Sequence, residues 1–108
     1  MAYVSRIKDD ILDGLFEAIL LLNNEEECYR FFEDICTIAE LKSLAQRLAV
    51  AKMLDAEQTY TAIAEETGAS TATISRVKRS LHYGADGYRL MLDKLRTKNK
   101  GAGNKKKD

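Results

Sequence analysis

The segment TGASTATISRVKRSL, residues 67–81, places short hydroxyl side chains ahead of a cluster of basic ones. Hydroxyl groups both donate and accept hydrogen bonds, whereas guanidinium and ammonium groups only donate and carry positive charge. Such a mixture is suited to hydrogen bonding with base edges and to charge-assisted bonding with phosphates. The candidate residues for this chemistry are Thr61, Ser70, Thr71, Ala72, Thr73, Ser75, Arg76, Lys78 and Arg79.

A helix-turn-helix over residues 60–81 would present these side chains on one element. Ala64 is the small residue needed where the second helix crosses the first, and Gly68 suits a left-handed turn after the first helix. Ser70 is a favourable N-cap for the second helix. The apolar residues that would hold the two helices together are Ile63, Ala69, Ile74 and Val77.

The first turn of the second helix is the part that such a unit inserts into the major groove. Short side chains allow the backbone to approach the bases, and the methyl group of Thr71 or Ala72 can contact a thymine methyl. The basic residues further along would meet phosphates or bases. A role in helix capping would account for the presence of Ser70. It would not account for Thr71, Ala72 and Ser75, which are expected on the side of the helix opposite Ile74 and Val77.

The remaining segments have helical periodicity, and we predict an all-α fold of about six helices. The other predicted helices cover residues 5–22, 25–36, 37–55 and 87–97. Asn24 is predicted to cap the second helix. The third helix is predicted to bury a stripe of Leu41, Leu44, Ala45, Leu48, Ala51 and Leu54. The last helix is predicted to turn inward Leu90, Met91 and Leu95.

The domain organisation follows from these segments. We predict a single helical domain over residues 1–98, in which residues 1–55 form dimerisation helices and residues 85–98 the C-terminal helix. Dimerisation is expected because the first helix is apolar well beyond one stripe, and a chain this small cannot cover such a face alone. Residues 99–108 are polar and lysine-rich, and we predict a flexible basic tail.

Charge is unevenly distributed although the formal net charge is zero. Residues 1–40 contain three basic and ten acidic residues, whereas residues 41–108 contain fourteen basic and seven acidic ones. A chain divided in this way is suited to meeting a polyanion with its basic half. The charge pattern therefore agrees with the nucleic-acid chemistry of residues 67–81.

Other functional classes find little support in the sequence. His82 is the single histidine, and the serines have no matched acid or base, so we expect no enzyme, no metal site and no cofactor. Cys28 and Cys36 are interpreted as free thiols. No apolar run is long enough for a membrane span, and the N-terminus has no signal-peptide pattern, so we expect a cytoplasmic protein without a membrane partner.

Two stretches resemble the Trp repressor family, in particular its small relatives of the YerC/YecD type. These are ELKSLAQRLAVAKML, residues 40–54, and TYTAIAEETGASTATISRVKRSL, residues 59–81. The resemblance implies an interlaced homodimer that binds two half-sites of a double-stranded DNA operator and regulates transcription, as a repressor. It also implies that Thr71, Ala72 and Ser75 contact the DNA, whereas Thr61 replaces an arginine that reads a guanine in the namesake.

The resemblance extends to the tryptophan pocket of the namesake. Arg47 and Arg76 match the arginines that flank the indole there, and Ser80 matches a serine near the ligand's amino group. Val77 stands in place of a glycine and is expected to narrow the pocket. We therefore predict that tryptophan is not required, and we expect Arg47 and Arg76 to pair with acidic groups or phosphates. The identity of any other small-molecule effector stays open.

A second function is compatible with the same fold. The chain could serve as a protein-interaction and dimerisation module that retains the helix-turn-helix as a scaffold. The basic second helix favours the DNA-binding interpretation, because a scaffold would not require it.

Overall fold

The computed structural model describes residues 3–107, and the side chains of residues 3–99. Six helices and no strand occur in this part of the chain, which confirms the all-α prediction. The helices are α1 (Asp10–Ile19), α2 (Glu25–Ile35), α3 (Ile38–Asp55), α4 (Tyr60–Thr67), α5 (Thr71–Tyr83) and α6 (Gly87–Lys107). None of the described helices is long and apolar enough to cross a membrane.

The chain divides into two compact units, Met1–Ile38 and Ala39–Asp108. The first contains α1 and α2, and the second contains α4, α5, α6 and all of α3 except its first residue. The grouping of residues 1–98 into one domain, with residues 1–55 as dimerisation helices, stays a prediction.

Helix α1 is shorter than the predicted helix over residues 5–22. It begins after Asp9, whose side chain accepts a hydrogen bond from the backbone N–H of Leu12 at 2.7 Å and so caps the helix. At the other end, the N–H groups of Leu21 and Leu22 bond to carbonyls three residues back, at 3.1 Å each, and form a tighter turn. The predicted cap of α2 is confirmed, because Asn24 accepts from Glu27 N–H at 2.9 Å.

The first unit leaves much of its apolar surface uncovered. Neither α1 nor α2 contains a buried residue. Ile11 is 87% exposed and Leu20 is 82% exposed, so two large aliphatic side chains lie almost wholly in solvent. A unit without a fully buried residue offsets little of the entropy of ordering its chain, and it therefore needs a further surface against which to pack.

The second unit contains the hydrophobic core. Its buried residues come from α3, α4, α5, α6 and the turn between α4 and α5, and they are Val50, Ala51, Ile63, Ala69, Ile74, Val77, Leu81 and Leu92. Ile63, Ala69, Ile74 and Val77 were all predicted to hold the helix-turn-helix together, and that prediction is confirmed. Helix α5 is therefore held against the core by three buried residues of its own, Ile74, Val77 and Leu81.

Two predicted buried stripes are partly wrong. On α3, Ala51 is buried as predicted, but its companion is Val50, while Leu44 and Ala45 are exposed. On α6, Leu90 and Met91 are exposed, and Leu92 is the buried residue, with Tyr88 packed beside it. Both helices are apolar on more than one side, so periodicity alone did not determine which side faces this core.

Helix α6 also runs further than predicted. The sequence predicted an end at residue 97 and a flexible tail over residues 99–108, but the α6 backbone is helical to Lys107. No proline stops the helix, and glycine lowers helix propensity by only about 1 kcal/mol per residue. The side chains of residues 100–107, and Asp108 entirely, lie outside the described residues.

Glycine is required at the end of α5. Gly84 closes the helix by donating its N–H to the carbonyl of Ser80 at 2.8 Å. A Cβ atom at this position would collide with that same carbonyl oxygen. The chain then turns through Asp86, which has a left-handed φ of 66°, and enters α6. This tight connection holds the start of α6 beside the end of α5.

Asp55, at the end of α3, connects α3 to α6. Its carboxylate accepts from Arg89 at 2.6 Å and contacts Arg96 at 3.0 Å. Arg96 also donates to Asp93 at 2.7 Å. The hydrogen bond from Arg89 is the main cause that lowers the pKa of Asp55 below its ordinary 3.8, against a smaller opposing effect of burial. This network could not be predicted from the sequence, because Asp55 lies 34 residues before Arg89.

We expect Asp55→Asn to destabilise the protein in a pH-dependent manner. A carboxylate whose pKa is lowered by folding stabilises the native state above its unfolded pKa, and this contribution is lost as pH falls through the folded pKa. The difference in free energy of unfolding between the wild type and Asp55→Asn should therefore be largest near pH 7 and shrink below the ordinary value of 3.8. Urea unfolding at a series of pH values measures this difference.

Asp93→Asn is the matched control. Asp93 also pairs with Arg96, but its side chain is 59% exposed against 18% for Asp55, so its loss should matter less. Parallel stability curves for the wild type and Asp55→Asn from pH 7 to pH 3 would contradict the assigned role.

Candidate nucleic-acid interface

Helices α4 and α5 form the predicted helix-turn-helix, and the turn between them is closed by hydrogen bonds. Gly68 has a left-handed φ of 74°, and its N–H donates to Ala64 O at 2.9 Å. The hydroxyl of Thr67 donates to Ile63 O at 2.7 Å and accepts from Ala69 N–H at 3.1 Å. These bonds leave the turn little freedom, so the start of α5 is held at a defined angle to α4.

Helix α3 supports this turn from outside the motif. The side-chain amide of Gln46 donates to the carbonyl of Thr67 at 3.1 Å. That carbonyl belongs to the last turn of α4, where no further helical N–H is available to it. Gln46 was not predicted, because it is one of several polar residues on α3 and nothing in the sequence distinguishes it.

Burial of one side of α5 determines which side faces outward. Ile74, Val77 and Leu81 are buried at 0, 2 and 6% exposure. At about 100° per residue, the opposite side of the helix carries a row of exposed residues. These are Ala72, Ser75, Arg76, Arg79 and Tyr83. The row begins with small side chains and continues with guanidinium groups, in the order that the sequence analysis predicted for a DNA-facing helix.

Three of the predicted DNA-binding residues that carry a hydroxyl, Ser70, Thr71 and Thr73, lie outside this exposed row. Ser70 caps α5 by accepting from Thr73 N–H at 3.1 Å, and its hydroxyl also donates to the hydroxyl of Thr73 at 3.1 Å. Thr73 is half-buried rather than exposed. Thr71 is exposed, but by helical geometry it lies about 90° from the buried side rather than opposite to it. The expectation that Thr71 projects with Ala72 and Ser75 is therefore only partly met.

Lys78 lies at the edge of α5 nearest α4, and Thr61 lies on α4 itself. The ammonium group of Lys78 stands 5.7 Å from the ring centre of Tyr60, a cation–π contact between α5 and α4. Lys78 thus joins the two helices in addition to any contact with phosphate. Thr61 is exposed in the first turn of α4.

A cavity of about 330 Å³ lies between α3, α5 and α6. Arg47, Arg76, Val77 and Ser80, the four predicted pocket residues, all line it. The lining is completed by Ser43, Gln46, Ala72, Thr73 and Tyr88. Most of these side chains are polar, and the cavity is at the lower end of the roughly 300–1,000 Å³ usual for ligand pockets. Tyr88 was not predicted, because it follows an irregular turn without periodic signal.

The two arginines that line this cavity were expected to pair with acidic groups or phosphates. Within the described side chains, neither Arg47 nor Arg76 takes part in an ion pair, so the expected pairing with acidic groups does not occur there. Both guanidinium groups are exposed. Of the two kinds of partner expected from the sequence for Arg47 and Arg76, acidic groups and phosphates, only phosphates remain.

No arrangement for metal binding or disulfide formation was found among the described residues. No group of three or more His, Cys, Asp or Glu side chains could hold a metal ion there. Cys28 and Cys36 are free and half-buried.

The fold and this site define a helical protein built around a helix-turn-helix, and sequence comparison identifies the family. Residues 10–96 match the family profile described as Trp repressor protein, so the chain belongs to the Trp repressor family. This is a family of regulators. The uncharacterized protein YerC of Bacillus subtilis (strain 168) is 57% identical over 93 residues, covering 86% of this chain and 89% of that protein.

Solved structures support the same assignment. A candidate Trp repressor from Staphylococcus aureus is 56% identical, has a TM-score of 0.81, and is matched over 84% of this chain and 91% of its own. A TrpR like protein from Eubacterium eligens ATCC 27750 is 57% identical with the same TM-score, over 83% of this chain and 93% of its own. The family and the fold predicted from the sequence are thereby confirmed.

Proposed function

We propose that this protein is a homodimeric, sequence-specific DNA-binding transcriptional regulator, a repressor that does not require tryptophan. The observation that carries the proposal is the exposed row on α5, in which Ala72 and Ser75 precede Arg76 and Arg79 opposite a fully buried side. Small side chains permit close approach to bases, and the guanidinium groups supply charge for phosphates or guanine. Access to DNA places such a regulator in the cytoplasm.

We propose that the protein dimerises through the uncovered apolar surface of the first unit. Family membership implies a dimer with two helix-turn-helix units, and a second copy of the chain is the natural cover for exposed Ile11, Phe16 and Leu20. Interlaced N-terminal helices would bury these side chains. Two linked reading helices would then engage two half-sites of double-stranded DNA, about one helical turn apart.

We expect Arg79→Ala to weaken binding to every duplex and to lower its salt dependence. Arg79 is exposed in the middle of the proposed DNA-facing row, where a phosphate contact releases counterions when it forms. Its loss should reduce the slope of log affinity against log salt by about one for each subunit. Ser75→Ala should instead change the preference among duplex sequences, at roughly 1–3 kcal/mol for a lost base contact. Fluorescence anisotropy titrations at several salt concentrations measure both effects.

Arg30→Ala provides the matched control for charge. Arg30 lies on α2 with 76% of its side chain exposed, so its loss removes one positive charge without touching the helix-turn-helix. This variant should keep the wild-type salt slope. If Arg79→Ala and Ser75→Ala both bind duplexes as the wild type does, the DNA-facing role of α5 is wrong and the protein-interaction function is favoured.

A further inference from the structure

Tyr83 is the exposed aromatic residue at the C-terminal end of the helix-turn-helix. The sequence predicted that the second helix ends at residue 81, but α5 includes Tyr83, which is therefore a helical residue with a defined direction. Its side chain is 86% exposed. The hydroxyl forms no hydrogen bond within the part of the chain that the structure describes, so this polar group faces solvent without a partner.

The direction of Tyr83 matches that of the arginines on α5. It lies four positions after Arg79 and seven after Arg76, and at about 100° per residue the three side chains fall within roughly 60° of one another. All three are exposed, and all are opposite the side of the helix that carries Leu81. The row proposed to face DNA therefore continues to the last turn of α5.

Distance along the helix decides what Tyr83 can reach. With a rise of 1.5 Å per residue, Tyr83 lies about 18 Å along the axis from Thr71, the first residue of α5. The major groove is about 12 Å wide, so a helix whose first turn lies in the groove extends its last turn out over the phosphate backbone. Sugars and phosphates, rather than base edges, are the groups within reach of the phenol.

The described ring contact of Tyr83 is with its neighbour in the chain. The ring lies edge-on to that of His82, with ring centres 6.4 Å apart and planes at 62°. This contact leaves the side chain 86% exposed. The hydroxyl is therefore open to a partner, and a phenol hydroxyl donates a hydrogen bond without carrying charge.

We propose that Tyr83 is a further DNA contact, in which its hydroxyl donates a hydrogen bond to a backbone phosphate oxygen at the edge of each half-site. The proposal rests on the proposed DNA-binding function and extends it. The contact is sequence-independent and fixes the register of α5 on the duplex. It differs from the arginine contacts in one measurable respect, because a neutral donor displaces no condensed counterion.

The experiment is Tyr83→Phe, which removes only the hydroxyl, measured by anisotropy titration over a range of salt concentrations. We expect affinity to fall by about 3- to 10-fold for each half-site contacted, on operator and non-operator duplexes alike, with the salt slope unchanged. Arg79→Ala, measured in parallel, should lower the slope. Tyr29→Phe is the control, since Tyr29 is a 60% exposed tyrosine on α2 and its hydroxyl should not matter.

The outcomes separate this inference from the function on which it rests. Wild-type affinity for Tyr83→Phe, together with weakened binding by Arg79→Ala, overturns the role of Tyr83 and leaves the DNA-binding function standing. A fall in molecular mass for Tyr83→Phe in light scattering also overturns it, because the residue would then belong to a subunit interface. If the wild-type protein binds no duplex, the proposed function and this contact fall together.

Discussion

Ile11→Glu is expected to convert the protein from a dimer into monomers and to weaken binding to a two-half-site duplex by roughly 10²–10⁴-fold. That range is what is lost when two linked binding events become independent. Light scattering should report twice the 12.2 kDa of one chain for the wild type, and a mass near one chain for the variant. Anisotropy titration with the duplex measures the second effect.

The reason lies in the apolar surface of α1. At about 100° per residue, Ile11 and Phe16 flank the half-buried stripe of this helix on either side, so the apolar surface covers about half of its circumference. The stripe consists of Leu12, Leu15 and Ile19. Burying an isoleucine side chain contributes roughly 1.5–3 kcal/mol, and a symmetric dimer gains this twice. A carboxylate in its place would have to be desolvated, at a cost of several kcal/mol.

Gly14→Glu is the matched control on the same helix. Gly14 lies between Ile11 and the acidic residues of α1, outside the half-buried stripe, and a Cβ atom there meets nothing within 4 Å. The variant receives the same new side chain as Ile11→Glu and loses a poor helix former, so it should remain dimeric. If Ile11→Glu keeps the wild-type mass and duplex affinity, the uncovered face of α1 is not the dimer interface.

The helix-turn-helix could be predicted from the sequence because its requirements are local. Gly68 must adopt a left-handed turn, Ser70 must cap the next helix, and Ile63 and Ile74 must meet across a short connection. Each requirement is met within about ten residues, so turn chemistry and periodicity identify it. The structure confirms all four positions.

The orientation of α6 could not be predicted in the same way. Leu90 and Met91 are as apolar as Leu92, and the turn at Gly84 and Asp86 together with the ion pairs of Asp55 holds α6 with Leu92 toward the core. That turn depends on a close approach to Ser80, which leaves no pattern in the sequence beyond a single glycine. The Asp55–Arg89 pair could not be predicted for a similar reason, since the two residues are 34 positions apart and no local pattern links them.

The sequence indicated the residues of the candidate site more accurately than their arrangement in space. The four pocket residues do line one cavity, but Tyr88 and Gln46 complete it from segments with no distinctive pattern. Ser70 and Thr73 were assigned to DNA together with Ser75, but the hydroxyl of Ser70 caps α5 and donates a hydrogen bond to the hydroxyl of Thr73. Hydroxyl residues near a helix N-terminus can serve either purpose, and only the three-dimensional arrangement distinguishes them.

Val77→Gly is expected to lower the free energy of unfolding by about 3 kcal/mol. Val77 is 2% exposed at the junction of the core and the cavity, so its three side-chain carbons are packed on nearly every side. Removing them costs about 0.8 kcal/mol for each carbon, and glycine within a helix costs about 1 kcal/mol more. Val77→Ala separates the two contributions, because it keeps helix propensity and loses only two carbons. Urea unfolding at fixed protein concentration measures both variants.

The same packing predicts that L-tryptophan is not required for DNA binding. A flat indole would need the space that Val77 fills, and the remaining cavity of about 330 Å³ is at the lower end of the volume usual for ligand pockets. A buried Val77 instead holds α5 in place without a ligand, so the binding-competent state is already populated and no effector is needed to favour it. We expect isothermal titration of the wild type with L-tryptophan to show millimolar affinity or none, and duplex affinity to be the same with and without the amino acid. Low-micromolar tryptophan binding that tightens duplex affinity would contradict this argument, and a Val77→Gly variant as stable as the wild type would remove its physical basis.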